Sequence, residues 1–252
     1  MTRTRLQVAL ILALFCAAGN ATAADDAAIA KALASDLRAE DASERDARSR
    51  PEVVLGLLDL QPGDSAVDIF GGGGYYADLM AAMVGPDGSV ILHNNTPYSG
   101  FVEKQNKARY VDNGVPGVTL LKSEVDELQL GRDRFDAALM VMSYHDLHYT
   151  APQRGWYDTD VPLFLAQVHT ALKPGGRLVI VDHAAAKGSG KAAAQDIHRI
   201  EPDYVKQEIV AAGFRFVDSS DVLSNPEDEH TKMVFDKSIR GETDRFILSF
   251  EK

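Results

Sequence analysis

A run of four glycines is the strongest candidate for a ligand-binding loop in this sequence. The run follows a short apolar segment that contains one acid, Asp68, and its members are Gly71, Gly72, Gly73 and Gly74. Glycines between a strand and a helix let the backbone turn sharply and approach a ligand where a β-carbon would clash. Many nucleotide-binding sites and many tight turns share this feature, so its specificity is low. The sequence therefore predicts a ligand at this loop, and the neighbouring residues must indicate which.

Histidines form the second group of residues that could do chemistry. Four of the seven end or follow apolar runs of strand length: His93, His145, His148 and His183. The carboxyl ends of parallel strands form one rim where ligands bind, and imidazole titrates near neutral pH. We expect a proton-handling site there, with His145 as general base, Asp146 orienting it and His183 in reserve. Each histidine taken alone has an equally ordinary interpretation as a structural residue.

A metal site is not expected. The spacing in His145-Asp146-Leu147-His148 is compatible with metal ligands. However, this segment is predicted to be a loop, whereas the helical zinc motif places its histidines four apart with an acid between them. The single cysteine, Cys16, lies in the N-terminal segment, so the rest of the chain offers no thiol as metal ligand or nucleophile.

Short apolar runs alternate with amphipathic stretches along most of the chain. The runs predict seven strands, at residues 66–70, 89–93, 118–121, 135–142, 177–181, 214–217 and 246–250. Between most of them, helical patterns occur at residues 76–84, 101–113, 161–172 and 202–212. This regular succession favours right-handed crossovers and a largely parallel sheet with helices on both faces. We expect one α/β domain over residues 51–252.

The N-terminal segment has the pattern of a signal peptide. Arg3 and Arg5 precede an apolar run at residues 6–18, and small residues follow up to Ala23. This pattern predicts removal of residues 1–23 and a periplasmic or secreted protein, with a retained N-terminal anchor as the alternative. The run is shorter than the roughly 20 apolar residues of a membrane span, so no stable membrane insertion is expected.

Residues 24–50 precede the predicted domain and differ from it in composition. Apolar residues four apart predict a helix over residues 25–37, whereas residues 38–50 alternate acids and bases. That alternation is typical of a solvated helix or loop, and the alternative is a lid over the ligand site. After removal of residues 1–23 the chain has 24 basic and 37 acidic residues. This balance argues against nucleic acid as a partner.

Several segments together resemble the class I S-adenosylmethionine-dependent methyltransferases in order and spacing. They are Asp68 with the glycines, residues 124–128, Phe135-Asp136 and residues 172–178, and the resemblance covers about residues 51–251. Residues 182–185, 197–201 and 240–246 further resemble a branch of exported bacterial proteins predicted to be methyltransferases. The resemblance implies a Rossmann-like, seven-stranded, mostly parallel sheet and S-adenosyl-L-methionine as cofactor.

The resemblance also implies roles for particular residues. Gly72 and Gly74 would lie beside the amino acid part of the cofactor, Asp68 would organise the loop, and Glu124 would lie near the adenine amino group. Related enzymes usually place an acid on the ribose hydroxyls, and here Asn94 occupies that place with weaker, uncharged hydrogen bonds. Phe70 stands where the first glycine is usual.

The function implied is methyl transfer to a small-molecule or peptide-borne acceptor in a histidine-lined site. The alternative is a non-catalytic exported binding protein that retains the fold, because the cofactor is made in the cytoplasm and the ribose acid is missing. A dinucleotide-dependent oxidoreductase is a weaker third interpretation. The sequence lacks both the glycine spacing and the acid after the second strand that dinucleotide-binding enzymes have.

Overall fold

Seven β-strands form one sheet in the computed structural model, which describes residues 26–252. They are β1 (Ser65–Ile69), β2 (Ser89–Asn94), β3 (Val118–Lys122), β4 (Phe135–Val141), β5 (Leu172–His183), β6 (Arg215–Ser220) and β7 (Arg245–Glu251). Their order is β3-β2-β1-β4-β5-β7-β6. Strand β7 is antiparallel to both of its neighbours, and the other pairs are parallel. The predicted seven-stranded, mostly parallel α/β sheet is confirmed.

Helices cover both faces of the sheet. They are α1 (Asp26–Leu33), α2 (Asp46–Ser49), α3 (Pro51–Leu58), α4 (Tyr75–Val84), α5 (Thr96–Asn106), α6 (Val161–Ala171), α7 (Ala192–Ile197) and α8 (Pro202–Ala211). Alternate residues of β1 enter two separate cores, with Val67 and Ile69 in one and Ala66 in the other. Burial on both faces explains why the strands read as apolar runs without polar alternation.

Helix α5 differs from its predicted bounds. It begins at Thr96 rather than at residue 101, because the Asn95 side chain accepts a hydrogen bond from the Tyr98 amide at 3.1 Å and caps the first turn. It gives way after Asn106 to a π-helical turn over Lys107–Asp112. This turn places Tyr110 against the glycine loop, where its hydroxyl donates to Asp78 at 2.9 Å.

The charged segment at residues 38–50 packs on the domain instead of extending into solvent. It forms a 3-10 turn over Ala42–Arg45 followed by α2. Tyr75, the first residue of α4, donates its hydroxyl to Asp46 at 2.6 Å, and Arg245 of β7 donates to the Arg48 carbonyl at 2.7 Å. Seven of the thirteen residues are nevertheless exposed, as expected for a solvated helix or loop, and the alternative of a lid stays a prediction.

Two expectations concern membranes and export. The predicted signal peptide, residues 1–23, lies outside the described residues. Within residues 26–252, no helix is both long and apolar enough to cross a bilayer.

Candidate active site

One cavity of about 1050 Å³ lies at the carboxyl edge of the parallel strands. Gly71, Gly72 and Gly73 line one side of it, and on the other side it is lined by His145, Asp146, His183 and His198. The loops after β1, β4 and β5 meet here because parallel strands end at the same edge of the sheet. The glycine loop and two of the four predicted histidines are thus brought together.

Gly72 presents an open surface to the cavity. Its φ is 59°, and a β-carbon built there meets no atom within 4 Å. Gly74 has φ 87°, but a β-carbon there would collide with the Tyr110 hydroxyl. The two glycines expected beside the amino acid part of the cofactor therefore differ: Gly72 faces the cavity, whereas Gly74 packs against the protein.

Asp68 lies under the glycine loop, and one of its carboxylate oxygens accepts no hydrogen bond from residues 26–252. Its side chain is 1% exposed, and Oδ2 has no hydrogen-bond donor among residues 26–252. Burial raises the pKa of Asp68 to about 7, and the Arg45 guanidinium acts in the opposite direction. Arg45 lines the same cavity, with its guanidinium 4.2 Å from the centre of the Tyr75 ring. A buried oxygen without a donor suits a ligand that brings its own N–H group.

Phe70 adopts the backbone conformation that glycine usually supplies. Its φ is 55°, although its side chain is bulky. The ring stacks on Tyr98 with centroids 5.1 Å apart and on Phe164 at 5.9 Å. This aromatic packing holds the strained residue in place, so the departure from the family pattern is compatible with the same loop path.

Asn94 and Glu124 make protein contacts where ligand contacts were expected. Asn94 accepts a hydrogen bond from the Gly72 amide at 2.9 Å and donates to the Gly72 carbonyl at 3.0 Å. Exposed Glu124 accepts from the Thr96 hydroxyl at 2.5 Å at the start of α5. Asn94 thus secures the glycine loop through one lone pair of its Oδ1 and one N–H of its Nδ2.

His145 is the most tightly held of the site histidines. Its Nδ1 lies 2.7 Å from Oδ1 of Asp182, and its backbone amide donates to the other oxygen of that carboxylate. Burial disfavours the charged ring, but Asp182 and Asp146 outweigh burial and raise the pKa of His145 to about 9. Asp146, expected to orient His145, lies 3.4 Å from Nε2 of the ring. The shorter contact is the one that Asp182 makes with Nδ1, because the end of β5 lies beside the end of β4.

His183 has the opposite electrostatic character. Its Nδ1 lies 2.8 Å from the Thr243 hydroxyl. Burial outweighs the neighbouring carboxylate of Asp182 and lowers the pKa of His183 to about 3. His183 is therefore neutral at pH 7, whereas His145 is protonated. Two adjacent imidazoles with separated pKa values can play different parts in one reaction.

Two of the predicted histidines lie outside the cavity. His93 is fully buried, and its Nε2 lies 3.1 Å from the Ser123 carbonyl. His148 turns toward α8, with Nε2 3.0 Å from Glu208. The expectation that four histidines share one crevice was wrong for this pair, because a position near a strand end does not fix the direction of the side chain.

Two cavity residues, Tyr98 and His198, and the buried Asp182 behind His145 were missed or only partly indicated by the sequence. Tyr98 donates its hydroxyl to Asp146 at 2.6 Å, and nothing in the sequence indicated it. Asp182 was visible only as part of the Asp182-His183 strand end. His198 belongs to the segment at residues 197–201, in which the neighbouring Arg199 is fully buried against Asp228. The loop folds back over the sheet, and His198 lines the cavity.

Comparison with known sequences shows similarity to methyltransferases. Residues 67–180 match the family described as methyltransferase domain. The chain is 27% identical over 146 residues to the ubiquinone/menaquinone biosynthesis C-methyltransferase UbiE of Teredinibacter turnerae, covering 58% of this chain and 53% of that protein. The corresponding enzyme of Saccharophagus degradans is 23% identical over 189 residues, covering 73% and 70%. The chain spans about half the length of the first of these relatives.

Solved structures share the fold. A SAM-dependent methyltransferase from Aquifex aeolicus superposes with a TM-score of 0.58 at 20% identity, covering 90% of this chain and 98% of that one. An arsenic(III) S-adenosylmethionine methyltransferase from Chlamydomonas reinhardtii gives a TM-score of 0.54 at 17% identity, covering 89% and 72%. Residues 67–180 are therefore similar in sequence to the methyltransferase domain family, and the whole sheet has the fold of the solved S-adenosylmethionine-dependent methyltransferases.

Proposed function

We propose that this protein transfers a methyl group from S-adenosylmethionine to a small-molecule or peptide-borne acceptor. The observation that carries the proposal is a single cavity that joins the glycine loop to His145, Asp146 and His183. Its volume of about 1050 Å³ is at the upper end of ordinary ligand pockets, so a cofactor and a small acceptor fit side by side.

The loop side of the cavity suits the cofactor. Gly72 leaves open space for close approach of a ligand to the backbone. The free oxygen of Asp68 can accept a hydrogen bond from the ammonium group of the amino acid part, and the Arg45 guanidinium can pair with its carboxylate. When bound, S-adenosylmethionine supplies an electrophilic methyl carbon on a sulfonium.

The histidine side of the cavity suits the acceptor. His145 is fixed by Asp182 and can position the acceptor, whereas the neutral ring of His183 can hydrogen-bond to a polar group of the acceptor. Tyr149 and Trp156 add aromatic surface beside them. Such a wall accommodates an acceptor with an apolar or aromatic body and one polar group.

The experiment is a binding measurement followed by a transfer assay on the purified protein. Calorimetry with S-adenosylmethionine and with its demethylated product is expected to show one site. At 100 times the dissociation constant, the ligand should stabilise the fold by about 2.7 kcal/mol. NAD is the control, because binding of NAD in place of S-adenosylmethionine would support an oxidoreductase.

Transfer is then followed with methyl-labelled cofactor and fractionated small molecules and peptides. Labelled product supports the proposal. Binding without labelling of any fraction would support the non-catalytic alternative, and absence of cofactor binding would overturn the proposal altogether.

A further inference from the structure

A cluster of two imidazoles and one carboxylate faces the acceptor side of the cavity. Its members are His145, Asp146 and His198, and their potential ligand atoms all lie within 4.8 Å of one another. Oδ1 of Asp146 is 3.4 Å from Nε2 of His145 and 3.4 Å from Nδ1 of His198. Two ligand atoms on one tetrahedral zinc ion are separated by roughly 3.3 Å, given metal–ligand bonds of about 2.0 to 2.1 Å. The two separations therefore match the edges of a coordination polyhedron.

The remaining polar atoms of His145 and Asp146 are bound to the protein. Nδ1 of His145 is held by Asp182 at 2.7 Å, which leaves Nε2 directed at the cluster. Oδ2 of Asp146 accepts the Tyr98 hydroxyl at 2.6 Å, which leaves Oδ1 directed at the cluster. A histidine backed by a carboxylate, and a carboxylate that is itself hydrogen-bonded, are the usual supports of metal ligands.

His198 has a strained backbone conformation, and aromatic packing holds its side chain in place. Its backbone is left-handed, with φ 55° and ψ 48°. Its ring lies 4.7 Å from that of Tyr149 and 5.1 Å from that of Phe235. Left-handed residues other than glycine persist where the surrounding structure enforces them, and they concentrate at functional sites.

We propose that Nε2 of His145, Oδ1 of Asp146 and Nδ1 of His198 bind one divalent transition-metal cation. Imidazole suits zinc and its neighbours in the first transition row, and three protein ligands are typical of sites that keep a coordination position open. All three side chains are at most 15% exposed. Binding of the cation at Nε2 releases the proton of His145, and the cation then replaces the imidazolium charge beside the carboxylates of Asp146 and Asp182.

No metal site was predicted from the sequence because only His145 and His148 lie close enough in the chain to be recognised as a pair of ligands. His148 is directed to Glu208, and the missing ligand comes from the loop before α8. Because all three ligands line the cavity, an acceptor could bind the ion at an open coordination position through an oxygen or sulfur atom. This last statement rests on the proposed methyl transfer, whereas metal binding itself does not.

The test is titration of the chelator-treated protein with Zn²⁺ by calorimetry and with Co²⁺ by visible absorption. One equivalent is expected to bind. His198→Asn should weaken Zn²⁺ binding by at least about 10- to 100-fold, because losses of that size already follow when a residue that supports a metal ligand is changed. His230→Asn is the matched control, because His230 is also left-handed, with φ 57°, and also contacts a carboxylate, Asp244. Asparagine tolerates this backbone conformation, so both variants should fold.

The outcomes separate this proposal from the proposed function. Equal Zn²⁺ affinity in the wild-type protein and the His198→Asn variant, or equal losses in the two variants, would overturn the metal site. S-adenosylmethionine binding is measured in the same preparations. If the cofactor binds but Zn²⁺ does not, only the metal site fails; if Zn²⁺ binds but the cofactor does not, the metal site stands and the methyl transfer fails.

Discussion

The carboxylate of Asp182 holds His145 from two directions. Oδ1 lies 2.7 Å from Nδ1 of the ring, and Oδ2 accepts the backbone amide of His145 at 2.8 Å. Oδ1 also accepts the backbone amide of His183 at 2.7 Å. A single buried carboxylate therefore joins the end of β5 to the turn after β4 and holds His145 and His183, which both line the cavity.

The change Asp182→Asn is expected to lower the free energy of unfolding by about 1–3 kcal/mol. The carboxamide has only one acceptor oxygen, so at least one of the three donors around it is left unpaired. Urea unfolding measures the loss, and exposed Asp126→Asn is the control. A variant as stable as the control would show that these hydrogen bonds contribute little.

The change Gly72→Asn is expected to weaken S-adenosylmethionine binding at least about tenfold, or 1.4 kcal/mol. The new side chain enters the open space in which the cofactor is proposed to approach the backbone of Gly72. Gly114→Asn is the matched control, because Gly114 has φ 71° and equally open surroundings. Calorimetry gives the affinities. Unchanged affinity in a folded Gly72→Asn protein removes this loop from the binding site.

The change Arg45→Gln is expected to lower cofactor affinity roughly 10- to 100-fold, the effect of losing a charge-assisted hydrogen bond of about 1.5–3 kcal/mol. Arg45 lines the cavity, whereas Arg48 of the same segment is exposed and serves as control through Arg48→Gln. Equal affinities of the two variants for S-adenosylmethionine would mean that the charged segment is not a lid over the cofactor.

The buried side chain of His93 is expected to make the folded protein less stable in mild acid. Burial lowers the pKa of His93 to about 4 from its ordinary value of 6.5. The unfolded chain then binds more protons than the folded one between these values, so stability is full above about pH 6.5 and declines toward pH 4. The pKa difference corresponds to a loss on the order of 3 kcal/mol.

The change His93→Gln tests this prediction, because glutamine keeps an N–H donor for the Ser123 carbonyl but does not titrate. Unfolding free energies are measured by urea at pH 7 and pH 4.5 for both proteins. The decline in the variant should be smaller by about 2–3 kcal/mol. Parallel declines would show that His93 binds a proton without disrupting the fold.

Export with removal of residues 1–23 is a further prediction, motivated by Arg3, Arg5 and the apolar run that follows them. Expression of the full chain in a Gram-negative host should give a periplasmic product that begins at Ala24. Intact mass of the fractionated protein decides this. Recovery of the full-length mass from the cytoplasm would contradict it.

The sequence by itself determined the elements and one side of the cavity. Apolar runs marked all seven strands to within a few residues, except that β5 begins at Leu172. The glycines after β1 marked the loop that lines the cavity. Both signals are local: burial on two faces requires consecutive apolar residues, and a sharp strand-to-helix turn requires residues without a β-carbon.

Only the tertiary structure decided which side chains meet across the cavity. The pairing of His145 with Asp182 depends on β5 lying beside β4, and the approach of His198 to Asp146 depends on the path of the loop before α8. Asn94 was placed correctly at the end of β2, yet it turned to the glycine loop. Periodicity in a sequence reports burial along one element, whereas side-chain direction after a strand end is set by neighbours that are distant in the chain.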